Sequence, residues 1–518
     1  RHQNAALARR MLPHLSSVVD LLVYALPLLG GSGVMALPAL GFHRRTRHRA
    51  KKALSLLAQL LLGRAALWAA LDKIYALRRN GLRASLLNLV GLAMRYARRL
   101  PYIRDVARKE QAQSLAEIKK DVVDSAPDCG REVAALPLQG VAANALRDQL
   151  RGARAVQTEF DEDRAMGGIY HGEHDEDGEA LALVQADAMR LFSSTNALYP
   201  GVFPGIRKFE AEIISMVVDM LGGARCWSGA ENACGIFTSG GTESVLMATL
   251  AHREYFRETY GITQPEIIAC TSAHAAIDKA CHYFGIKLVH VEPDPVTMSA
   301  SPASYAREMN ANTIMLYTSA PSYPHGVVDP IPEIAGLAKA AGIGCHVDNC
   351  LGGFLFSALR RQDGILPDAL QFDLTVPGVT SISCDMHKYG YCSKGASVVA
   401  YANPALRRAG YTTVTDWSGG LYCTHAMGGS RGGHIMAAAW ATVLHMGREG
   451  YDREARNVHA TFRKVVAGVE AIDGLRLMGT PHLSVVAFTS DDFDIYKVAD
   501  VMKQRGGWEL ARMQRPPC

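Results

Sequence analysis

Apolar and polar positions divide the chain into stretches of different period. Residues 21–42 carry no charged side chain over 22 positions, which as a helix would span about 33 Å against a hydrocarbon core of about 30 Å. The run is a candidate transmembrane helix. Pro27, Gly30, Gly31, Gly33 and Pro38 interrupt it; they would break a helix in water, but membrane-spanning helices tolerate them better. A surface or cleaved segment is the other reading. Between 51 and 110 apolar and basic residues interleave, with helical spacing at Leu82, Leu86, Leu89, Val90 and Ala93 set against Arg83, Arg95, Arg98 and Arg99. Such a face suits an anionic membrane surface, and equally a helix docked on the main body with its basic side in water.

After residue 200 the period changes. A helix around Phe209, Ile213, Ile214, Val217 and Leu221 precedes strand-like runs at 235–238, 266–270, 287–291, 313–317 and 344–347, and a hairpin-like pair follows at 380–384 and 396–402. Strands alternating with helices predict an α/β fold with a mostly parallel sheet flanked by helices. From about Asp416 the pattern becomes more helical and predicts a smaller C-terminal α/β domain. The expected organisation is an N-terminal segment (1–50) with the candidate span, a basic helical membrane-proximal segment (51–160), a large domain (161–415) and a small domain (416–518).

Composition adds two constraints. With 48% hydrophobic and 20% charged residues over 518 positions, the chain is neither disordered nor a disulfide-stapled miniprotein. Residues 1–110 hold 20 Lys or Arg against 4 Asp or Glu, and the remainder holds 35 against 46, so a basic arm precedes an acidic body. Six Lys or Arg in 43–52 against three in 1–20 put the body in the cytosol by the positive-inside rule. The eleven Cys form no C-x-x-C pair, which predicts reduced thiols and no metal site. The chain begins at Arg1 and ends on Cys518 after two prolines; both ends read as cuts.

In an open α/β sheet reactive groups gather at the carboxyl ends of strands, and four such places stand out. Thr238-Ser239-Gly240-Gly241-Thr242-Glu243-Ser244 is a strand ending in glycines and hydroxyls before a helix, either a phosphate cradle or a plain Ser/Thr helix cap. Asp348 closes the run His346-Val347-Asp348, as a buried acid needing a cation or as a turn cap. Lys388 lies in the loop Ser383-Cys384-Asp385-Met386-His387-Lys388-Tyr389-Gly390-Tyr391. His274 follows the strand 266–270 and would stack on a flat ring or serve a structural role. Together an amine, a phosphate cradle and a strand-end acid meet the needs of pyridoxal phosphate.

With Pro324-His325-Gly326, these segments resemble, in order and spacing, the group II pyridoxal-phosphate decarboxylase superfamily. Longer stretches are similar to its sphingosine-1-phosphate lyase branch: Phe203-Pro204-Gly205-Ile206-Arg207-Lys208, Asp348-Asn349-Cys350-Leu351-Gly352-Gly353-Phe354, Asp416-Trp417-Ser418-Gly419-Gly420 and Phe493-Asp494-Ile495-Tyr496. The resemblance implies a fold type I enzyme with pyridoxal 5'-phosphate bound covalently to Lys388, Asp348 on the pyridinium nitrogen, His274 on the ring, and Gly240, Gly241 and Thr242 around the phosphate. His387 would sit beside the phosphate, as would Ser430 of the Gly428–Gly433 loop from a partner subunit of a homodimer. Tyr170 and Lys394 match residues of substrate handling and proton transfer, and Asn196 and Tyr199 match substrate-binding positions.

The implied reaction is cleavage of a long-chain base phosphate to a fatty aldehyde and phosphoethanolamine, at the endoplasmic reticulum membrane with a single span and a cytosolic catalytic domain. The implied partners are that substrate, membrane lipid and a second subunit, with no nucleic acid. The chain departs from the pattern at Tyr199, where the branch has His against the substrate phosphate, at Asn349 and Cys384, where Ala is usual, and at Met386, where a small hydroxyl residue is usual. An acidic stretch, 173–178, follows Tyr170. The rival readings are an amino-acid decarboxylase of the same superfamily and a catalytically silent membrane-bound scaffold.

Overall fold

The computed structural model describes residues 139–155, 170 and 181–514 apart from 363, 368 and 509, with isolated positions between 105 and 136. The candidate span, most of the basic segment and the acidic stretch 173–178 lie outside the described residues. No helix among the described residues is long and apolar enough to cross a membrane. The chain divides into two compact units, Arg1–Gln157 and Thr158–Cys518. In the first, helix α1 spans Ala143–Ala155.

The second unit is built on one seven-stranded sheet. Its strands are β1 (Cys234–Thr238), β2 (Glu266–Cys270), β3 (Lys287–Val291), β4 (Thr313–Ser319), β5 (Gly344–Asp348), β6 (Ser381–Asp385) and β7 (Ser397–Tyr401), so every run predicted from the sequence is a strand. They stand in the order β1-β7-β6-β5-β4-β2-β3. The pairs from β3 across to β6 are parallel, and β7 runs antiparallel to both β6 and β1. Every residue of β4, β6 and β7 is buried, because helices cover both faces of a parallel sheet; their sequences therefore read as continuous rather than alternating runs. The edge strand β3 instead exposes Lys287 and His290, a pattern that discourages further pairing.

The helices are α2 (Leu181–Leu191), α3 (Pro204–Met220), α4 (Gly241–Tyr260), α5 (Ala276–Phe284), α6 (Pro302–Glu308), α7 (Ile331–Ala341), α8 (Gly353–Arg360), α9 (Pro404–Ala409), α10 (Gly433–Glu470) and α11 (Ile495–Gly506). Gly447, at φ 56° and ψ −176°, breaks α10 into two helices. Two small ladders, β8 (Thr412–Val414) with β9 (Tyr422–Thr424) and β10 (Arg476–Leu477) with β11 (Phe488–Thr489), complete the unit. Register aligns Ser319, Asp348 and Ser383 across β4, β5 and β6, and aligns Thr238, Ser397 and Asp385 across β1, β7 and β6. One edge of the sheet thus gathers the ends of β1, β4, β5 and β6.

A buried histidine couples this core to pH. His252 of α4 is fully buried, with Nδ1 2.7 Å from Ala248 O and Nε2 2.8 Å from Thr380 Oγ1. A side chain at Gly344 would strike its ring, so the glycine is what lets α4 lie on β5. Burial pushes its pKa down to about 4, against the Ala248 hydrogen bond. A folded value below the unfolded one gives stability that is complete above pH 6.5 and is lost as pH falls, by about 3 kcal/mol near pH 4. His252→Gln is expected to lower stability at pH 7 yet flatten its decline between pH 6.5 and 4. Urea titrations at several pH values check this, and an unchanged slope would contradict it.

Candidate active site

The carboxylate of Asp348, the last residue of β5, is fixed from three sides. Tyr317 Oη donates to Oδ2 at 2.5 Å, and Ser383 Oγ and the Cys350 N–H donate to Oδ1 at 3.2 and 3.1 Å. Burial pushes the carboxyl pKa up, but the Lys388 charge, the Tyr317 hydrogen bond and the nearby His274 and His346 outweigh it and hold the group below the ordinary value. The acid is therefore anionic at neutral pH, although it sits where a lone charge would be costly.

Lys388 lies in the β6–β7 loop, its Nζ 3.0 Å from Asp385 Oδ2. Burial pushes the ammonium pKa down, but Asp385, with Cys350 and Asp348, raises it well above the usual lysine value. Burial likewise raises Asp385, and the His387 hydrogen bond and the Lys388 charge outweigh it, to about 2. His387 accepts on Nδ1 from the Gly395 and Ala396 N–H groups, both at 3.3 Å, so Nε2 carries the proton and faces Asp385 Oδ2 at 3.6 Å.

Above this cluster lies the glycine turn. A Cβ on Gly240 would come 3.0 Å from His387 Cε1, and one on Gly241 would come 2.8 Å from both Asp385 Oδ2 and Cys350 Sγ. Only bare backbone fits. Gly240 caps α4 without a side-chain hydrogen bond, and Ser239 Oγ binds Glu243 Oε2 instead, at 2.6 Å. The Ser/Thr-cap reading is thereby set aside, and the first amides of α4, Thr242 included, are placed where a helix start can take an anion.

His274 is exposed after β2 and accepts the Ala276 N–H on Nδ1 at 3.1 Å. Tyr170 comes from far along the chain. Its ring centroid is 5.0 Å from that of Tyr389 and 4.8 Å from Lys394 Nζ, which donates to His387 O at 3.0 Å. Burial raises the Tyr170 phenol pKa against the Lys388 charge, and burial lowers the Lys394 ammonium pKa. Asn196 and Ser430 form a second group, joined by Asn196 Nδ2 donating to Ser430 Oγ at 2.9 Å. Tyr199, in the following turn, is 56% exposed.

Sequence reasoning missed Asp385, although it directly follows the predicted run 380–384 and the strand-end rule that selects Asp348 selects it too; it also missed Tyr317, which lies inside β4, where that rule does not look. Cys384 and Met386, two of the departures, are fully buried in the main core, so they alter packing around the lysine loop. Asn349 is also fully buried, and neither atom of its side-chain amide has a hydrogen-bond partner among the described residues. Asn349→Ala is expected to stabilise the fold by about 1 kcal/mol, since a buried unpaired amide costs about 1–3 kcal/mol; thermal unfolding of the pair measures it, and a destabilised variant would contradict the assignment.

Residues 176–491 match the pyridoxal-dependent decarboxylase conserved domain. The chain belongs to this family. It is 40% identical over 418 residues to a sphingosine-1-phosphate lyase of Dictyostelium discoideum, covering 80% of this chain and 75% of that protein. It is 41% identical over 425 residues to sphingosine-1-phosphate lyase 1 of Rattus norvegicus, covering 82% and 71%. A solved sphingosine-1-phosphate lyase structure from Burkholderia pseudomallei superposes with a TM-score of 0.71 at 40% identity, covering 74% of this chain and 87% of that one. The family cofactor, pyridoxal phosphate, fits the residues present. The bare glycine turn at the start of α4 would take its phosphate, anionic Asp348 would take the ring cation, and Lys388 would supply the amine. Asp385 keeps one buried oxygen, Oδ1, without a partner among the described residues.

Proposed function

We propose that the chain cleaves the bond between carbons 2 and 3 of sphingosine 1-phosphate or a related long-chain base phosphate, giving a fatty aldehyde and phosphoethanolamine in sphingolipid degradation. The observation that carries this reading is the 36–41% identity to sphingosine-1-phosphate lyases over a chain whose lysine loop, strand-end acid and glycine turn meet on one sheet edge. Pyridoxal phosphate, when bound, supplies the electron sink for the pair left on carbon 2.

The chain's own residues do the rest. Lys388 is the covalent anchor, and Asp385 holds its Nζ in line with the glycine turn. Asp348, kept ionised by the Lys388 charge and the Tyr317 hydrogen bond, holds the positive charge that makes the sink effective. His274 covers the ring, and His387 with the Gly240, Gly241 and Thr242 amides holds the phosphate. Lys394 Nζ, lowered in pKa by burial, and the Tyr170 hydroxyl are the groups we assign to taking the proton from the carbon-3 hydroxyl and returning one to carbon 2. Ser430 is assigned to a partner subunit's site in a homodimer; exposed Tyr199, Val202, Trp417, Leu421 and Met427 around that loop are apolar area for such a contact to cover. The uncharged run 21–42 and the basic residues after it support a single-span location in the endoplasmic reticulum membrane, body in the cytosol, where an amphiphilic substrate partitions.

Solved glutamate and tryptophan decarboxylases share the fold at 16–17% identity, so the rival amino-acid decarboxylase reading rests on fold alone. Supplying purified protein with sphingosine 1-phosphate and, in parallel, with glutamate or tryptophan separates the two: aldehyde supports the lyase, carbon dioxide the decarboxylase, and neither the silent scaffold.

Tyr199 adds a graded test. A neutral phenol where the branch has His gives up a charge-assisted hydrogen bond to the substrate phosphate, worth about 1.5–3 kcal/mol or roughly ten- to a hundredfold in binding. Tyr199→His is expected to lower the KM for the phosphorylated base in that range. An unchanged preference for phosphorylated over unphosphorylated base would show that this position does not read the phosphate.

A further inference from the structure

Beside the lysine loop opens a cavity of about 280 Å³ that is partly open to solvent. Tyr170, Tyr323, Tyr389, Phe488, Val498 and Ala499 are among the residues that line it. Tyr170 belongs to both places, since its ring faces Lys394 and Tyr389, and Tyr389 is the neighbour of Lys388 in the chain. The cavity therefore shares Tyr170 with the reacting groups and is bordered by the segment that enters β11 and by helix α11. The one charged residue among its described lining, Arg512, is already paired with Asp500 at 2.5 Å, so an amino-acid carboxylate entering it would meet a cation that is already neutralised. An alkyl chain would lose only water.

We infer that this cavity holds the hydrocarbon tail of the substrate and of the departing aldehyde, with Tyr170 at the junction between tail and reacting carbons. The inference rests on the long-chain base phosphate reading above and adds where selectivity for tail length resides. Burying a methylene gives about fourfold in binding, so burying only two of the added methylenes of a longer tail gives about fifteenfold. Val498 and Ala499 of α11 line the cavity and take no part in the proposed chemistry, and a phenyl ring at either would narrow it.

Titration calorimetry of the full chain with octyl and hexadecyl phosphate, both below their micelle concentrations, tests the assignment without turnover. Wild type is expected to bind the hexadecyl chain at least tenfold tighter, and Val498→Phe and Ala499→Phe each to reduce that difference to less than threefold, with bound cofactor retained. Equal affinity for the two chain lengths in wild type, or a preference that both substitutions leave intact, would overturn the cavity assignment. Kinetics with long-chain base phosphates of eight to eighteen carbons separate this from the function itself. A preference abolished by the substitutions, without cleavage of any base phosphate, would uphold the tail site and overturn the reaction; cleavage that is indifferent to both substitutions at every length would do the reverse.

Discussion

Lys388→Ala is expected to lower turnover of the long-chain base phosphate by on the order of a thousandfold or more, the scale of losing a covalent catalytic group. Of the two lysines near the glycine turn, Lys388 is the one held by Asp385 at 3.0 Å beneath Gly241, whereas Lys394 leans outward over Tyr170. Borohydride reduction of the wild-type protein followed by peptide mapping is expected to find the cofactor on Lys388, and the variant to carry no label. A label on Lys394 would exchange the two roles. Lys388→Arg is expected to do no better than alanine, because guanidinium keeps the charge opposite Asp385 but offers no primary amine to bond the cofactor covalently. Partial activity in the arginine variant would show that Lys388 acts mainly as a counter-ion.

Asp348→Asn is expected to cut turnover by about a hundred- to a thousandfold while leaving most of the bound cofactor in place. The amide occupies the same volume and keeps one acceptor oxygen for Ser383 and the Cys350 N–H, while its NH2 faces Tyr317 Oη, which can turn its proton away and accept, so shape and phosphate contacts survive. What disappears is the negative charge that favours a protonated ring nitrogen. Cofactor content measured by absorbance after alkaline release, set beside kcat, separates the two effects. Parallel loss of both would make Asp348 a binding residue, and unchanged kcat would remove it from the chemistry. The carboxyl is held below its ordinary value, so its protonation does not contribute to any loss of activity between pH 5 and 7. An acid limb in that window belongs to another group.

Much of this site is legible in the amino-acid sequence. The seven strands are buried runs bounded by turn-forming residues, and their places follow from local hydrophobicity alone. Once the strands are located, Asp348 and the glycine turn fall at strand ends, and Lys388 falls in the loop of a hairpin, because those are properties of position along the chain. Pairing is not. Strand β7 inserts between β1 and β6 and sets Thr238 beside Ser397 and Ser397 beside Asp385, which is how the glycine turn comes to lie over the lysine loop. Ser244 Oγ, 2.9 Å from Ser397 Oγ and 2.6 Å from Thr238 Oγ1, ties that join to the first turn of α4. No period in the sequence reports which of several buried strands are neighbours, since each satisfies the same burial and backbone hydrogen bonding. The Asp385–Lys388 pair, the approach of Tyr170 to Lys394 and the apolar cavity behind it are likewise decided by tertiary packing, because they depend on distances between segments whose local patterns are independent of one another.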